Sequence, residues 1–297
     1  MRLLKLLLTL LACAVAGPAG AGPVEDFRDA VAAYRTGDYA TTLRLLRPLA
    51  EQGYANAQTN LGIMYDEGRG VPKDYAAAVM WYRKAADQGE AVAQYNLANM
   101  YDKGRSVPQD YAAAMMWYRR AAEQRSANAQ IKLSIMYYNG LGVPKDYAAA
   151  AEWLRVAAEQ GDALAQGDLG AMYAIGRGVP KNYAAAMSWY RKAAEQGSAN
   201  AQIKLSNMYY NGLGVPKDYA AAAEWLREAA EQGDALAQSD LGDMYDMGRG
   251  VPQDYVQAHK WYNLADSVEL RDLIAAKMTP AQIAEAQRLA REWKPTK

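Results

Sequence analysis

From residue 55 onward, apolar side chains recur every three or four positions in short runs, and each run is stopped by glycine or proline. In the stretch 55–90, Leu61, Met64 and Tyr65 fall on one side of a helix that starts at Ala55 and ends at Gly68, a residue suited to the left-handed position after a helix. Gly70-Val71-Pro72-Lys73 cannot continue it, because proline carries no amide proton and clashes with the preceding turn. Asp74 then offers an N-cap acceptor. Tyr75 to Gln88 forms a second helix, with Trp81 and Ala85 on its inner stripe, before Gly89 ends it. One helix pair cannot bury two such stripes, so the pattern predicts pairs that stack on their neighbours.

The pattern repeats. Trp81, Trp117, Trp153, Trp189, Trp225 and Trp261 lie 36 residues apart, dividing the chain into units 55–90, 91–126, 127–162, 163–198, 199–234 and 235–270. The cap position reads Asp74, Asp110, Asp146, Asn182, Asp218 and Asp254, all with an acceptor oxygen. Units 127–162 and 199–234 differ only at Ile135/Asn207 and Val156/Glu228, the mark of a duplicated two-unit block. The eighth position is always small (Gly62, Ala98, Ser134, Gly170, Ser206, Gly242), although glycine costs a helix interior about 1 kcal/mol relative to alanine. A second helix must approach closely there, and the Ala76-Ala77-Ala78 run is the expected facing surface. Near the end, Thr279-Pro280-Ala281-Gln282 reads as a capping box, and Ile283, Ala286, Ala290 and Trp293 form one face of a terminal helix. These elements predict an all-α fold, a right-handed α/α superhelical solenoid of antiparallel helix pairs. A divergent unit over 22–54 precedes the six full repeats of 55–270, and a capping helix over 271–297 follows.

The spacing Ala57-Gln58, Leu61-Gly62, Tyr65, Gly68, Gly70-Val71, Asp74-Tyr75, Ala78, Trp81-Tyr82, Ala85-Ala86 and Gln88-Gly89 resembles the Sel-one-like repeat, a 36-residue relative of the tetratricopeptide repeat. The resemblance covers 55–270 six times over and reaches 24–54 weakly, through Tyr34 to Tyr39. It departs at Ser106 and Arg125, which replace loop and terminal glycines and are expected to loosen unit 91–126. It implies a non-enzymatic adaptor or scaffold; exported bacterial members are associated with envelope regulation, assembly and host contact.

Composition agrees with a scaffold. The 297 residues carry 33 basic and 33 acidic side chains, a balance that argues against electrostatic nucleic-acid binding. One cysteine and one histidine cannot build a Cys/His zinc site. Arg2 and Lys5, an apolar run from Leu6 to Val15 and Ala19-Gly20-Ala21 describe a secretory leader over 1–21, cleaved after Ala21 and too short for a permanent membrane span. The product is expected in the periplasm or outside the cell; lipoprotein processing at Cys13 is a minor alternative.

No H-E-x-x-H, G-x-S-x-G, S-x-x-K or P-loop string occurs, and Gly68-Arg69-Gly70 lacks the strand and Gly-Lys of a phosphate loop. His259 stands where other units hold Val79, Met115, Ala151, Met187 or Ala223, so it reads as a variable packing position. No cofactor or metal is expected.

By resemblance to tetratricopeptide repeats, positions 2, 5, 9, 12 and 13 of each first helix line the concave face. Here these positions differ between units while the scaffold positions repeat. The candidate partner-binding set is Tyr95, Asn99, Asp102, Asn128, Ile131, Ile135, Tyr138, Asn139, Leu164, Ile175, Asn200, Ile203, Asn207, Tyr210 and Asn211. It fits an extended peptide or a partner's helix with an apolar middle and basic flanks, bound to a monomeric chain. Two other functions stay open: a cell-wall-directed or β-lactam hydrolase, and a peptidoglycan- or glycan-binding module.

Overall fold

The structure, a computed structural model, describes residues 22–296, so the leader expected over 1–21 lies outside the described residues. Among these residues there are sixteen helices and no strand. The chain divides into two compact units at Ala129/Gln130. The first contains α1 (Pro23–Thr36), α2 (Tyr39–Glu51), α3 (Ala55–Glu67), α4 (Tyr75–Asp87), α5 (Ala91–Lys103) and α6 (Tyr111–Glu123). The division falls inside α7 (Ala127–Asn139). The second unit continues with α8 (Tyr147–Glu159), α9 (Ala163–Ile175), α10 (Tyr183–Glu195), α11 (Ala199–Asn211), α12 (Tyr219–Glu231), α13 (Ala235–Met247), α14 (Tyr255–Leu264), α15 (Val268–Ala275) and α16 (Pro280–Glu292). Consecutive helices pack on one another from α1 to α6 in the first unit and from α8 to α15 in the second, so the second helix of one repeat is also the wall against which the following repeat builds.

The predicted caps form. Asp74 accepts from the amides of Ala76 and Ala77 at 2.9 and 3.0 Å, Asp146 from Ala149 at 2.9 Å and Asn182 from Ala185 at 3.0 Å. Each such cap contributes about 1 kcal/mol to its helix. The inner stripes supply the core: Leu61, Met64 and Ala57 pack with Trp81 in the first unit, and Leu241 and Met244 with Trp261 in the second. Met64, Met100, Met136, Met172, Met208 and Met244, at the same position of each repeat, are all buried as core filler.

Two packing details go beyond the pattern. At the small eighth position the tight neighbour is an aromatic ring: a β-carbon on Gly62 would lie 2.7 Å from the Tyr82 ring, and the alanine run contributes only the Ala78 carbonyl oxygen at 3.4 Å. The repeats are also stitched by buried glutamines. Gln166 donates to the Ala158 carbonyl at 3.1 Å and accepts from Gln196 at 2.8 Å; Gln202 donates to Ala194 at 3.3 Å and accepts from Gln232 at 2.8 Å. Gln58 and Gln94 make the same pair of bonds in the first unit, to Ala50 with Gln88 and to Ala86 with Gln124. A carbonyl left between two repeats is thereby satisfied without water.

The loop glycines are replaced without changing the backbone. Ser106 and Arg125 adopt φ of 53° and 65°, the left-handed conformation that glycines occupy in the sister units. At the far end, α14 packs against α15 and α16. The Thr279 capping box closes through Gln282 N to Thr279 Oγ1 at 3.3 Å and Thr279 N to Gln282 Oε1 at 2.8 Å. Beyond α16, Trp293 meets Trp261 edge to face at 6.4 Å, and Thr296 N donates to the Glu231 carbonyl at 2.7 Å.

Candidate functional site

The first helices of the six full repeats bury positions 3, 4, 7, 8 and 10, expose position 13, and leave positions 2, 6 and 9 half-buried or exposed. Positions 5 and 12 lie between these two faces, and there the structure corrects the expected row. Ile131 and Ile203 are only 7% and 6% exposed, so these fifth-position side chains are packing residues with no surface to offer a partner. Thr59, at the same position, is buried too.

The twelfth position is occupied from within the chain. Tyr138 meets the Tyr147 ring edge to face at 5.0 Å, and Arg177 of the following repeat lies 5.4 and 5.2 Å from these two ring centroids and donates to the Tyr138 hydroxyl. Tyr210 repeats this with Tyr219 at 5.0 Å and Arg249. Each arginine is therefore a strut between successive repeats, held by cation–π and hydrogen-bond contacts.

In the first unit the candidates are tied down. The Tyr95 ring lies 5.7 Å from that of Tyr118, whose hydroxyl donates to Asn99 Oδ1 at 2.8 Å. Asn99 Nδ2 in turn donates to the Tyr95 carbonyl at 3.0 Å. Burial, reinforced by Asp102 and Tyr95, raises the Tyr118 hydroxyl far above the ordinary tyrosine value, so it stays a neutral donor. Asp102 is half-buried and Asn128 is exposed.

The second unit is more open. Ile135, Leu164 and Ile175 are 41%, 61% and 56% exposed, and Asn200 and Asn207 are exposed as well. Asn139 and Asn211 use their amide nitrogens on the carbonyls of Ile135 and Asn207 at 3.0 and 2.9 Å, which leaves their oxygens as acceptors on the surface. Leu236 and Met247, 60% and 46% exposed, extend the same apolar positions on α13. The row also contains position six, missing from the expected set: Lys132, Asp168, Lys204 and Asp240 in successive first helices. Its variation between units is a signal available in the sequence, hidden because the tetratricopeptide positions were used as the guide. Burial raises the Asp168 and Asp240 carboxyls above the usual aspartate value, helped by Asp162 for the first and by Asp243 and Asp234 for the second.

No group of three His, Cys, Asp or Glu side chains is arranged to hold a metal among the described residues, and none of their helices is long and apolar enough to cross a membrane.

A family model described as Sel1 repeat matches residues 55–90, 91–126, 127–162, 163–198, 199–234 and 235–265. A Sel1 repeat protein from Oxalobacter formigenes is 36% identical over 82% of this chain and 99% of its own, with a TM-score of 0.72. A protective antigen present in uropathogenic Escherichia coli strains, described as displaying an SLR fold, is 28% identical over 91% of this chain and 84% of its own, with a TM-score of 0.52. No curated protein matches.

Proposed function

Because the chain belongs to the Sel1 repeat family, whose members generally serve as protein–protein interaction scaffolds, we propose that it is a non-enzymatic scaffold that receives a peptide or helix of a partner protein on the outward face of its first helices. The second unit is the proposed receiver, with export through the 1–21 leader bringing the scaffold to envelope partners. One observation carries the reading: Ile135, Leu164, Ile175, Leu236 and Met247 stand 41–61% exposed on helices whose other positions follow the repeat. Scattered exposed apolar residues are ordinary, but a set that shares one face of α7, α9 and α13 has the composition of an interface centre.

Crosslinking and mass spectrometry of the mature protein in its native compartment test it. A partner captured by the wild type and lost with Ile135→Ser, Leu164→Ser and Ile175→Ser combined, at unchanged helicity, supports the face. Equal capture by the triple variant removes it. Amino-terminal sequencing of the exported protein checks the leader, with Gly22 the expected first residue.

A further inference from the structure

The sixth-position column alternates in sign along the second unit: Lys132 on α7, Asp168 on α9, Lys204 on α11 and Asp240 on α13. None of the four side chains makes an ion pair or hydrogen bond among the described residues. Acids elsewhere on the same helices are treated differently. Asp246 has Lys277 Nζ at 3.0 Å, Asp243 accepts from the Tyr262 hydroxyl at 2.7 Å, and in the first unit Asp66 has Arg105 at 3.8 Å. Asp168, which is exposed, and Asp240, which is half-buried, have no cation beside them: Asp162 and Tyr190 neighbour the first, and Asp234 and Asp243 the second. A partly desolvated carboxylate with no cation weakens the free protein, and such local conflicts collect where a ligand supplies what is missing.

From α9 to α13 the apolar neighbours follow the same alternation, whereas α7 sets Ile135 beside Lys132. α9 flanks Asp168 with Leu164 and Ile175, and α13 flanks Asp240 with Leu236 and Met247, all between 46% and 61% exposed. Between them α11 shows Lys204 with the amides Asn200, Asn207 and Asn211. Resting on the reading above, we infer that this face takes a partner segment carrying two basic side chains, each beside an apolar one, over Asp168 and Asp240, with an acidic or amide group between them over Lys204. An acidic segment is excluded by five carboxylates, those of Asp162, Asp168, Asp234, Asp240 and Asp243, on and at the caps of α9 and α13. A wholly basic one meets Lys204 and Lys132. Charge pattern thus selects the partner, and the exposed leucines hold it.

The probe is a fluorescein-labelled amphipathic helical peptide of leucine, arginine and glutamine, titrated against the protein and read by anisotropy. A matched peptide with glutamate for arginine is the sign control. The Arg peptide is expected to bind, the Glu peptide not to, and Asp168→Asn with Asp240→Asn to weaken the Arg peptide by about tenfold or more. Glu224→Gln with Glu228→Gln, an equal charge change on the outer face of α12, is expected to leave binding unchanged. Equal weakening by that control pair reduces the effect to net charge and overturns the inference, as does a Glu peptide binding as tightly as the Arg one, or no binding of the Arg peptide. Sedimentation showing a dimer that the peptide dissolves assigns the face to a second copy and also overturns it. Neither aspartate holds another residue, so the double Asn variant keeps its fold, which its melting curve checks. If the Asn variant still captures the native partner while the Ile135/Leu164/Ile175 variant does not, the face stands and only the charge assignment falls.

Discussion

The Tyr82 ring fills the place where a β-carbon on Gly62 would stand, with two ring carbons 2.7 Å from that point. The same pairing recurs as Gly170 with Tyr190 and Gly242 with Tyr262, whereas Ser134 and Ser206 belong to units whose second helix carries Leu154 and Leu226 instead. In the repeat that carries Ala98, the Tyr118 ring packs against Tyr95 at an interplanar angle of 51°. Replacing Gly62 by alanine should gain about 1 kcal/mol of helix propensity and lose about 1–3 kcal/mol to overpacking, for a net loss. Paired with Tyr82→Leu the alanine should become favourable. A double-mutant cycle by urea unfolding measures the coupling, and additive effects show that the ring does not set the residue at position 62.

Ser106 and Arg125 carry positive φ without being glycine. A side chain in that conformation costs roughly 1–2 kcal/mol, less when the residue makes its own local bonds. Ser106→Gly and Arg125→Gly should each stabilise the protein by about 1 kcal/mol, offset in part by a more flexible unfolded chain. Hydrogen exchange in α5 and α6 should slow in the double variant. Unchanged exchange there means that the two residues do not loosen this repeat.

Gln166 is 4% exposed and holds both the Ala158 carbonyl and the Gln196 amide. Truncation to alanine leaves the Ala158 carbonyl without its partner, at a cost of about 1–3 kcal/mol, while the exposed Gln196 amide keeps the Lys192 carbonyl. Since repeats communicate through neighbours, the loss of protection should centre on α8, α9 and α10. Hydrogen exchange by mass spectrometry reads this directly, and a loss spread evenly over the second unit contradicts a local stitch.

The helices, caps and repeat boundaries were legible because periodicity, Asp or Asn before a run, and glycine after it are local signals copied six times. The glutamine stitch was not. Gln58 and Gln88 look like surface residues, and only the geometry between repeats shows an open carbonyl for the first to reach. The candidate face was half legible. Leu164, Ile175 and Ile135 stand out where expected, but Tyr138 is held by Arg177, 39 residues on, a contact no spacing within one repeat announces. Ile131 and Ile203 were misplaced because position five rotates into the packing side in this repeat, and position six takes its place on the surface.

His259 is 2% exposed, and its Nδ1 has no hydrogen-bond partner, in a slot that other repeats fill with Val79, Met115, Ala151, Met187 or Ala223. It lies on α14, which packs against α13, α15 and α16. Burial first, then the positive charge of Arg271, hold its imidazole below the ordinary histidine value, while Asp272 opposes them. On and beside the helices packed against α14, Asp243 pairs with Tyr262, Asp246 with Lys277, and Glu285 and Glu292 with Arg288. A depressed folded value means that the unfolded chain takes the proton first. The stability is therefore complete above the unfolded value of about 6.5 and is lost as the pH falls from there through the depressed folded value. The terminal helices α15 and α16 should lose hydrogen-exchange protection between about pH 7.5 and pH 5, after correction for intrinsic rates, and the Trp293 emission should change with them. His259→Met, which installs the side chain of Met115 and Met187, should abolish that dependence while leaving the cap formed at the higher pH. An equal loss of protection in the methionine variant would place the acid sensitivity in the carboxylates around the cap and not in His259.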